Sequence, residues 1–446
     1  MTQDTITLTD LVARKDLDAI DRWLGEHGAL DVADELVRLD PAERAVVFRL
    51  LAKDRALAVF EAFDPIHQQQ LLDSLADDSV NELFLGLDPD DRARLTDEMP
   101  AKVANRLLAG LPDTARKNTN ILLGYPEESV GRVMSPRYVS LRASLTAADA
   151  LTKVRRTGLR SREVLVLPVT DDQRRLVGVV DLPDVVTAGS GTRIDELIRP
   201  DTYSVQVDED QEVGARLMQE ADLVALPVLD TEDRLVGVFT VDDAMEILEQ
   251  EETEDISRAG GVEPLTVPYM EATVLQLARK RATWLLVLII AAVATVNVLG
   301  VFEDTLEQVL ALALFIPLLI DTGGNSGSQA ATVVIRAMAV GEVRFSDLPR
   351  VLRRELVVGL LLGLMLGAVA IPIVWVFFGF EFALVIGSTL FVICTWASFS
   401  GGLLPLVAKR IGIDPAVVSA PLITTLVDAT GLIIYFLIAQ AILGIG

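Results

Sequence analysis

Five apolar runs constrain this chain more than any other feature. They lie at about 283–301, 308–333, 355–379, 382–407 and 416–444. Each is of the length a helix needs to cross a bilayer, roughly 20 residues. In hydrocarbon every backbone polar group must be satisfied within the segment, so such runs predict helices. The reading is an all-α membrane domain of five transmembrane helices, spanning 263–446. Basic residues orient it. "ARKRATW" precedes the first run, and Arg336, Arg344, Arg350, Arg353 and Arg354 lie between the second and third. Lys409 and Arg410 lie between the fourth and fifth, whereas "GVFEDTLEQ" and "FFGFEF" contain no Lys or Arg. With five spans, all the basic loops fall on one side. The expectation is a multi-pass protein of the inner (plasma) membrane, in contact with lipid, with its N-terminus cytoplasmic and its C-terminus outside.

Charge divides the chain at the same place. The net charge is −25. From residue 276 onward ten acidic and ten basic residues cancel, so the excess lies on the first 275. This argues against a nucleic-acid partner and for attraction of cations. One cysteine, Cys394, and two histidines, His27 and His67, exclude an intrachain disulfide and most zinc chemistry. The start, "MTQDTITLTDLVARKDLDAI", has no apolar signal segment. No GxxxxGK[ST] loop is present, so a pump driven by nucleotide hydrolysis is unsupported and the chain reads as no enzyme.

Two repeats organise the acidic part. "LDP" at 39–41, "FDP" at 63–65, "LDP" at 87–89 and "LPD" at 111–113 recur every 24 residues. Asp before Pro supplies an N-cap and a helix-starting residue. The period fits two short helices per repeat stacked as a solenoid, an α-helical repeat N-domain over 1–128. Farther on, "VLVLPVTDDQRRLVGVVDLPDVV" (164–186) aligns with "LVALPVLDTEDRLVGVFTVDDAM" (223–245), with ten of 23 positions identical. Each copy reads as strand, acidic turn, strand, helix. The duplication resembles a tandem pair of cystathionine-β-synthase (CBS) domains, an α+β module, assigned to 129–241. Such modules often bind adenosine nucleotides through Thr/Ser-x-x-Asp. The second copy keeps Thr240 and Asp243. The first has Asp184 but Asp181 in place of the hydroxyl. ATP is therefore a weakly supported ligand.

The stretch "VDDAMEILEQEETEDISRAGG" (241–261) predicts an acidic connecting helix, assigned to 242–262. At 100° per residue it gathers Asp243, Glu246, Glu251, Glu254 and Asp255 within half its circumference. Gly260 and Gly261 end it. A solvated acidic face would explain this as well as a cation site would.

Two spans are unusual. The second carries Asp321, Asn325, Ser328 and Gln329 among glycines, in "IDTGGNSGSQAATVV". Small residues permit close packing or a break in the helix, which accounts less well for Asp321 and Asn325. In the fifth, Thr424, Asp428, Gly431 and Tyr435 share one side, continued by Ala420 and Pro421. From Ala416 to Gly444 the one charge is Asp428. A carboxylate at such depth marks an ion pathway by default.

"TGGNSGSQAATVVIRAMAVGEV" and "IDPAVVSAPLITTLVDATGLIIYF", behind helical repeats, a CBS pair and an acidic helix, resemble the MgtE magnesium channel/transporter family. The resemblance implies a homodimer with the pore between two membrane domains. It implies that Asp428 from each copy selects Mg²⁺, with outer-shell contacts near Ala420 and Thr424 and with Gly431, Asn325 and Ser328 among the pore residues. Some family members carry Asn at the positions of Ala420 and Ser328. It further implies that Mg²⁺ closes the acidic helix as a plug against the pore. The matching ligands are Glu212, Asp222, Asp243, Glu246, Glu251, Glu254, Asp255 and Asp414, with Asp88 and Asp91 in the N-domain. Gln219 stands where the family has an acid. The competing readings are transport of Co²⁺, Mn²⁺ or Ca²⁺, or a membrane-anchored nucleotide sensor.

Overall fold

The computed structural model describes residues 7–75, 77–159, 161–265 and 267–445. It forms two compact units, 1–249 and 250–446.

The first unit opens with a two-row helical stack. One row is Ala29–Val37, Lys53–Glu61, Asp77–Gly86 and Ala101–Gly110. The other is Pro41–Phe48, Pro65–Ser74, Pro89–Glu98 and Asp113–Leu123. Helix starts in both rows step by 24, and successive members of a row pack together. The repeat thus contains two helices, each too short to be stable alone. They are held by a shared core that includes Val32, Leu36, Phe60, Leu71 and Phe84. Equivalent buried polar residues recur with the same period. Arg44 Nε donates to the Leu36 carbonyl at 3.1 Å, and Gln68 Nε2 donates to the Phe60 carbonyl at 2.9 Å. Both satisfy orphan carbonyls at a helix end.

The Asp-Pro caps form at two of three positions. Asp40 accepts from the Ala42 and Glu43 amides, each at 3.0 Å, and Asp64 accepts from the His67 amide at 2.9 Å. Asp88 precedes Pro89 but makes no cap. It pairs instead with Arg137. In the fourth copy, Leu-Pro-Asp places Pro112 at the cap position and the helix starts at Asp113.

The duplicated segment forms two small sheets. Strand β1 (Val166–Thr170) pairs antiparallel with β2 (Leu176–Asp181). Strand β3 (Val205–Gln206) runs parallel to β4 (Ala225–Leu229), which pairs antiparallel with β5 (Leu235–Thr240). The copies meet through Val166, Val179, Ala225 and Val238, all buried. Two identities in the repeat have a steric cause. A Cβ on Gly178 would lie 2.4 Å from the Ile198 side chain, and one on Gly237 would lie 2.4 Å from Met134 Sδ. A side chain at either site would push a neighbour out of the core.

Among the described residues, five helical segments are long and apolar enough to cross a membrane: Val274–Val301, Leu310–Ala339, Phe345–Phe378, Phe380–Arg410 and Ala420–Leu443. The first starts before its apolar run because Thr273 and Gln276 form a capping box, which carries the helix through the basic stretch. The second is a continuous α-helix over Ile316–Ala339, so its glycines serve packing and do not break it. A Cβ on Gly401 of the fourth span would lie 2.3 Å from the Gly327 carbonyl oxygen of the second. The third and fourth spans approach through Gly359 and Gly363 in the same way, a small-xxx-small contact.

Candidate ion sites

Two groups of carboxylates stand out, one in each unit. The first lines a cavity of about 180 Å³. Asp88, Asp90 and Asp91 come from the start of helix Pro89–Glu98 and its cap position. Asp242, Asp243 and Glu246 come from the start of helix Val241–Ala259, and Glu61, Glu163 and Thr240 complete the wall. Four predicted ligands, Asp88, Asp91, Asp243 and Glu246, therefore meet here. Asp90, Asp242, Glu61 and Glu163 also line the cavity and escaped the sequence reading. The run "DPDD" at 88–91 was a signal for Asp90, obscured by the helix-cap role of the same motif.

Cations already answer part of this charge. Arg94 pairs with Asp91 at 2.9 Å and also with Glu246. Arg137 pairs with Asp88 and, at 3.1 Å, with Glu163. Repulsion among the acids remains. Burial, together with Asp243, Asp91 and Asp88, holds Asp90 well above the usual carboxylate range. One of its oxygens, Oδ1, is buried without a hydrogen-bond partner among the described residues. Burial, then the charges of Asp91 and Glu246, pushes Asp243 up to about 7, against a 2.5 Å hydrogen bond from Thr240 Oγ1 and the pull of Arg94. Burial also raises Asp91, although Arg94 opposes it. Burial and mutual repulsion thus favour the protonated form of Asp90, Asp91 and Asp243, a crowding that attracts positive charge.

The remaining predicted ligands sit elsewhere. Glu212 binds Arg216 Nε at 2.8 Å on its own helix. Asp222, at φ +51°, shares a separate groove with Gln219, Met245 and Leu248. Glu251, Glu254 and Asp255 are partly exposed on the later turns of helix Val241–Ala259. Arg258 joins two predicted ligands in the second unit, pairing with Glu254 and with Asp414. Gly261, at φ +68°, ends the helix region as expected. In the nucleotide element, Thr240 and Asp243 belong to the acidic cavity. Asp181 of the first copy pairs with Arg199, and Asp184 is exposed.

The second group lies between the second and fifth spans. Ser328 Oγ donates to the Ala420 carbonyl at 3.1 Å and lies 3.1 Å from Thr424 Oγ1. Thr424 Oγ1 in turn donates to the Ala420 carbonyl at 2.9 Å. Gly324 makes room for this cluster, since a Cβ there would lie 2.7 Å from Thr424 Cγ2. Asp428 is half-buried one turn farther along, and Asp321 and Asn325 are exposed on the second span. Ser328, Ala420 and Thr424 thus meet across one helix pair, with Asn325 and Asp428 about one turn from them on the same two helices. Gly431 does not line that surface, being buried against Ile393. Tyr435 is also buried and donates to the Leu312 carbonyl at 2.9 Å. The predicted polar side of the fifth span is therefore open at its start and packed toward its end.

A multi-pass membrane protein with a carboxylate among its spans and an acidic cavity in its first unit has the build of a cation transporter. The comparisons with known proteins agree. Residues 316–438 match the model of the MgtE divalent cation transporter domain, 28–128 match the MgtE intracellular N domain, and 130–191 and 194–250 match CBS domains. The chain is 40% identical over 334 residues to magnesium transporter MgtE of Thermus thermophilus, covering 75% of this chain and 74% of that one. It is 32% identical over 320 residues to magnesium transporter MgtE of Enterococcus faecalis, covering 72% and 70%. A solved structure of the cytosolic domain of the Mg²⁺ channel MgtE in complex with ATP superposes with a TM-score of 0.51 at 31% identity, over 54% of this chain and 99% of that one. The chain belongs to the MgtE family, whose relatives here are named as transporters and not as enzymes.

Proposed function

We propose that this chain carries Mg²⁺ into the cell through the inner membrane and is closed by Mg²⁺ at its acidic cytoplasmic sites. The observation that carries the reading is Asp428. It sits in an apolar span with no hydrogen-bond or ion-pair partner among the described residues. A homodimer supplies two such carboxylates to one ion. Mg²⁺ dehydrates reluctantly, so two carboxylates acting through its water shell suit it. The Ala420 carbonyl and the Thr424 and Ser328 hydroxyls offer oxygen to the outer waters. Entry is downhill, because a divalent ion gains about 4.6 kcal/mol per 100 mV of inside-negative potential.

Regulation rests on the cavity around Asp88, Asp91, Asp243 and Glu246. Its carboxylates repel when empty and are bridged when a divalent ion binds. Glu251, Glu254, Asp255 and Asp414, with Glu212 and Asp222, extend the response along the acidic helix. Taking a gate from 1:99 to 99:1 closed requires roughly 10⁴-fold tighter binding to the closed state, which several weak sites share. ATP at the CBS pair is the extension suggested by the complex of the related cytosolic domain, with Thr240, Asp243 and Asp184 as the candidate contacts.

The test is Mg²⁺ uptake into liposomes holding the full chain, with Asp428→Asn alongside. The variant brings flux down to that of empty liposomes. Unchanged flux overturns the pathway. Competition by Co²⁺, Mn²⁺ and Ca²⁺ in the same liposomes separates Mg²⁺ transport from transport of another divalent ion.

A further inference from the structure

We infer that Asp321 is a second ion-binding carboxylate of the membrane pathway, level with Asp428. The inference rests on the reading of Asp428 given above. Contacts fix the register of the two helices. Ser328 meets Ala420 and Thr424, Gly324 meets Thr424, and Gly323 meets Val427. Falling numbers on the second span face rising numbers on the fifth, so the helices are antiparallel. From the Gly324–Thr424 level, Asp321 lies three residues along one helix and Asp428 four along the other. At 1.5 Å per residue their levels differ by about 1.5 Å.

Neither carboxylate makes a hydrogen bond or ion pair among the described residues. The basic residue farther along the second span, Arg336, is fifteen positions away, about 22 Å along the axis. Asp321 is exposed in the single chain, and Asn325 is exposed one turn on. A carboxylate and an amide facing lipid are costly, so this edge belongs against a wet path. Two adjacent carboxylates repel when both are charged. A hydrated divalent cation neutralises both at once. In a homodimer the ring then holds four carboxylates instead of two, which favours divalent over monovalent ions.

Uptake by the full chain in liposomes tests this, with no Mg²⁺ inside. Asp321→Asn keeps the shape and removes the charge, which eases placement in the bilayer. It should raise the half-saturating external Mg²⁺ about ten-fold and let Na⁺ compete, with a smaller change in maximal flux. Asp321→Glu should restore both properties. Unchanged half-saturation and Na⁺ rejection in Asp321→Asn, with Asp428→Asn inactive, would overturn the role of Asp321 alone. Normal flux in Asp428→Asn would overturn the pathway on which it depends.

Discussion

The acidic cavity of the first unit and the carboxylates of the membrane spans place acids in opposite company. Eight carboxylates crowd the cavity, with Arg94 and Arg137 set among them. Asp428 lies one helical turn from Thr424, and neither it nor Asp321 has a basic partner among the described residues. On the proposed reading, a crowded site with built-in cations takes up a divalent ion in exchange for protons and arginine pairs. Its affinity is therefore moderate and adjustable, as a sensor needs. A sparse site without internal cations leaves its charge to the passing ion, as a filter needs.

Substitutions sharpen that contrast. The largest effect falls on the sparse site, where Asp428→Asn removes uptake altogether. Next comes the packing that holds the second span in place. Gly401→Ala forces a methyl against the Gly327 carbonyl and should destabilise the membrane unit by about 1–3 kcal/mol. That loss is read as a lower thermal midpoint in detergent. In the crowded site a single neutralisation acts more gently. Asp243→Asn should leave maximal flux intact and raise the internal Mg²⁺ needed for closure by about ten-fold, the loss of one shared charge. Equal closure curves would remove Asp243 from the sensor.

The smallest effect is that of pH. With Asp243 raised to about 7, a proton occupies it below that value and Mg²⁺ must displace it. Mg²⁺ affinity of the cavity therefore rises with pH as Asp243 loses its proton near 7. Calorimetric titration at pH 6 in two buffers of different ionisation enthalpy should show proton release that fades by pH 8. Linkage gives the sign for stability without metal. The native state binds more protons than the unfolded one between about pH 4 and 7, so this cavity's contribution falls as pH rises through that window.

Much of this was legible in the sequence, for physical reasons. Lipid-length apolar runs, a 24-residue helical step and a duplicated strand–turn–strand are periodic, and periodicity survives without coordinates. Asp428 was visible because an isolated charge in an apolar run has few explanations. The cavity was only half visible. Asp88 and Asp90 are separated by more than 150 residues from Asp242 and Asp243, and the same Asp-Pro signal that caps helices at Asp40 and Asp64 hides the different use of Asp88. Gly431 shows the opposite limit. Its helical spacing put it beside Asp428, but a spacing does not say which part of a stripe is covered, and Ile393 covers it.

The most direct test measures Mg²⁺ flux into liposomes as internal Mg²⁺ is raised, for the unaltered chain, for Asp428→Asn, and for Asp243→Asn, Glu251→Gln and Asp255→Asn combined. The account predicts no flux at any internal Mg²⁺ in the first variant. In the triple variant it predicts full flux that no longer closes. Flux lost in the triple variant, or closure altered with flux retained in Asp428→Asn, would contradict the division between a membrane filter and a cytoplasmic sensor.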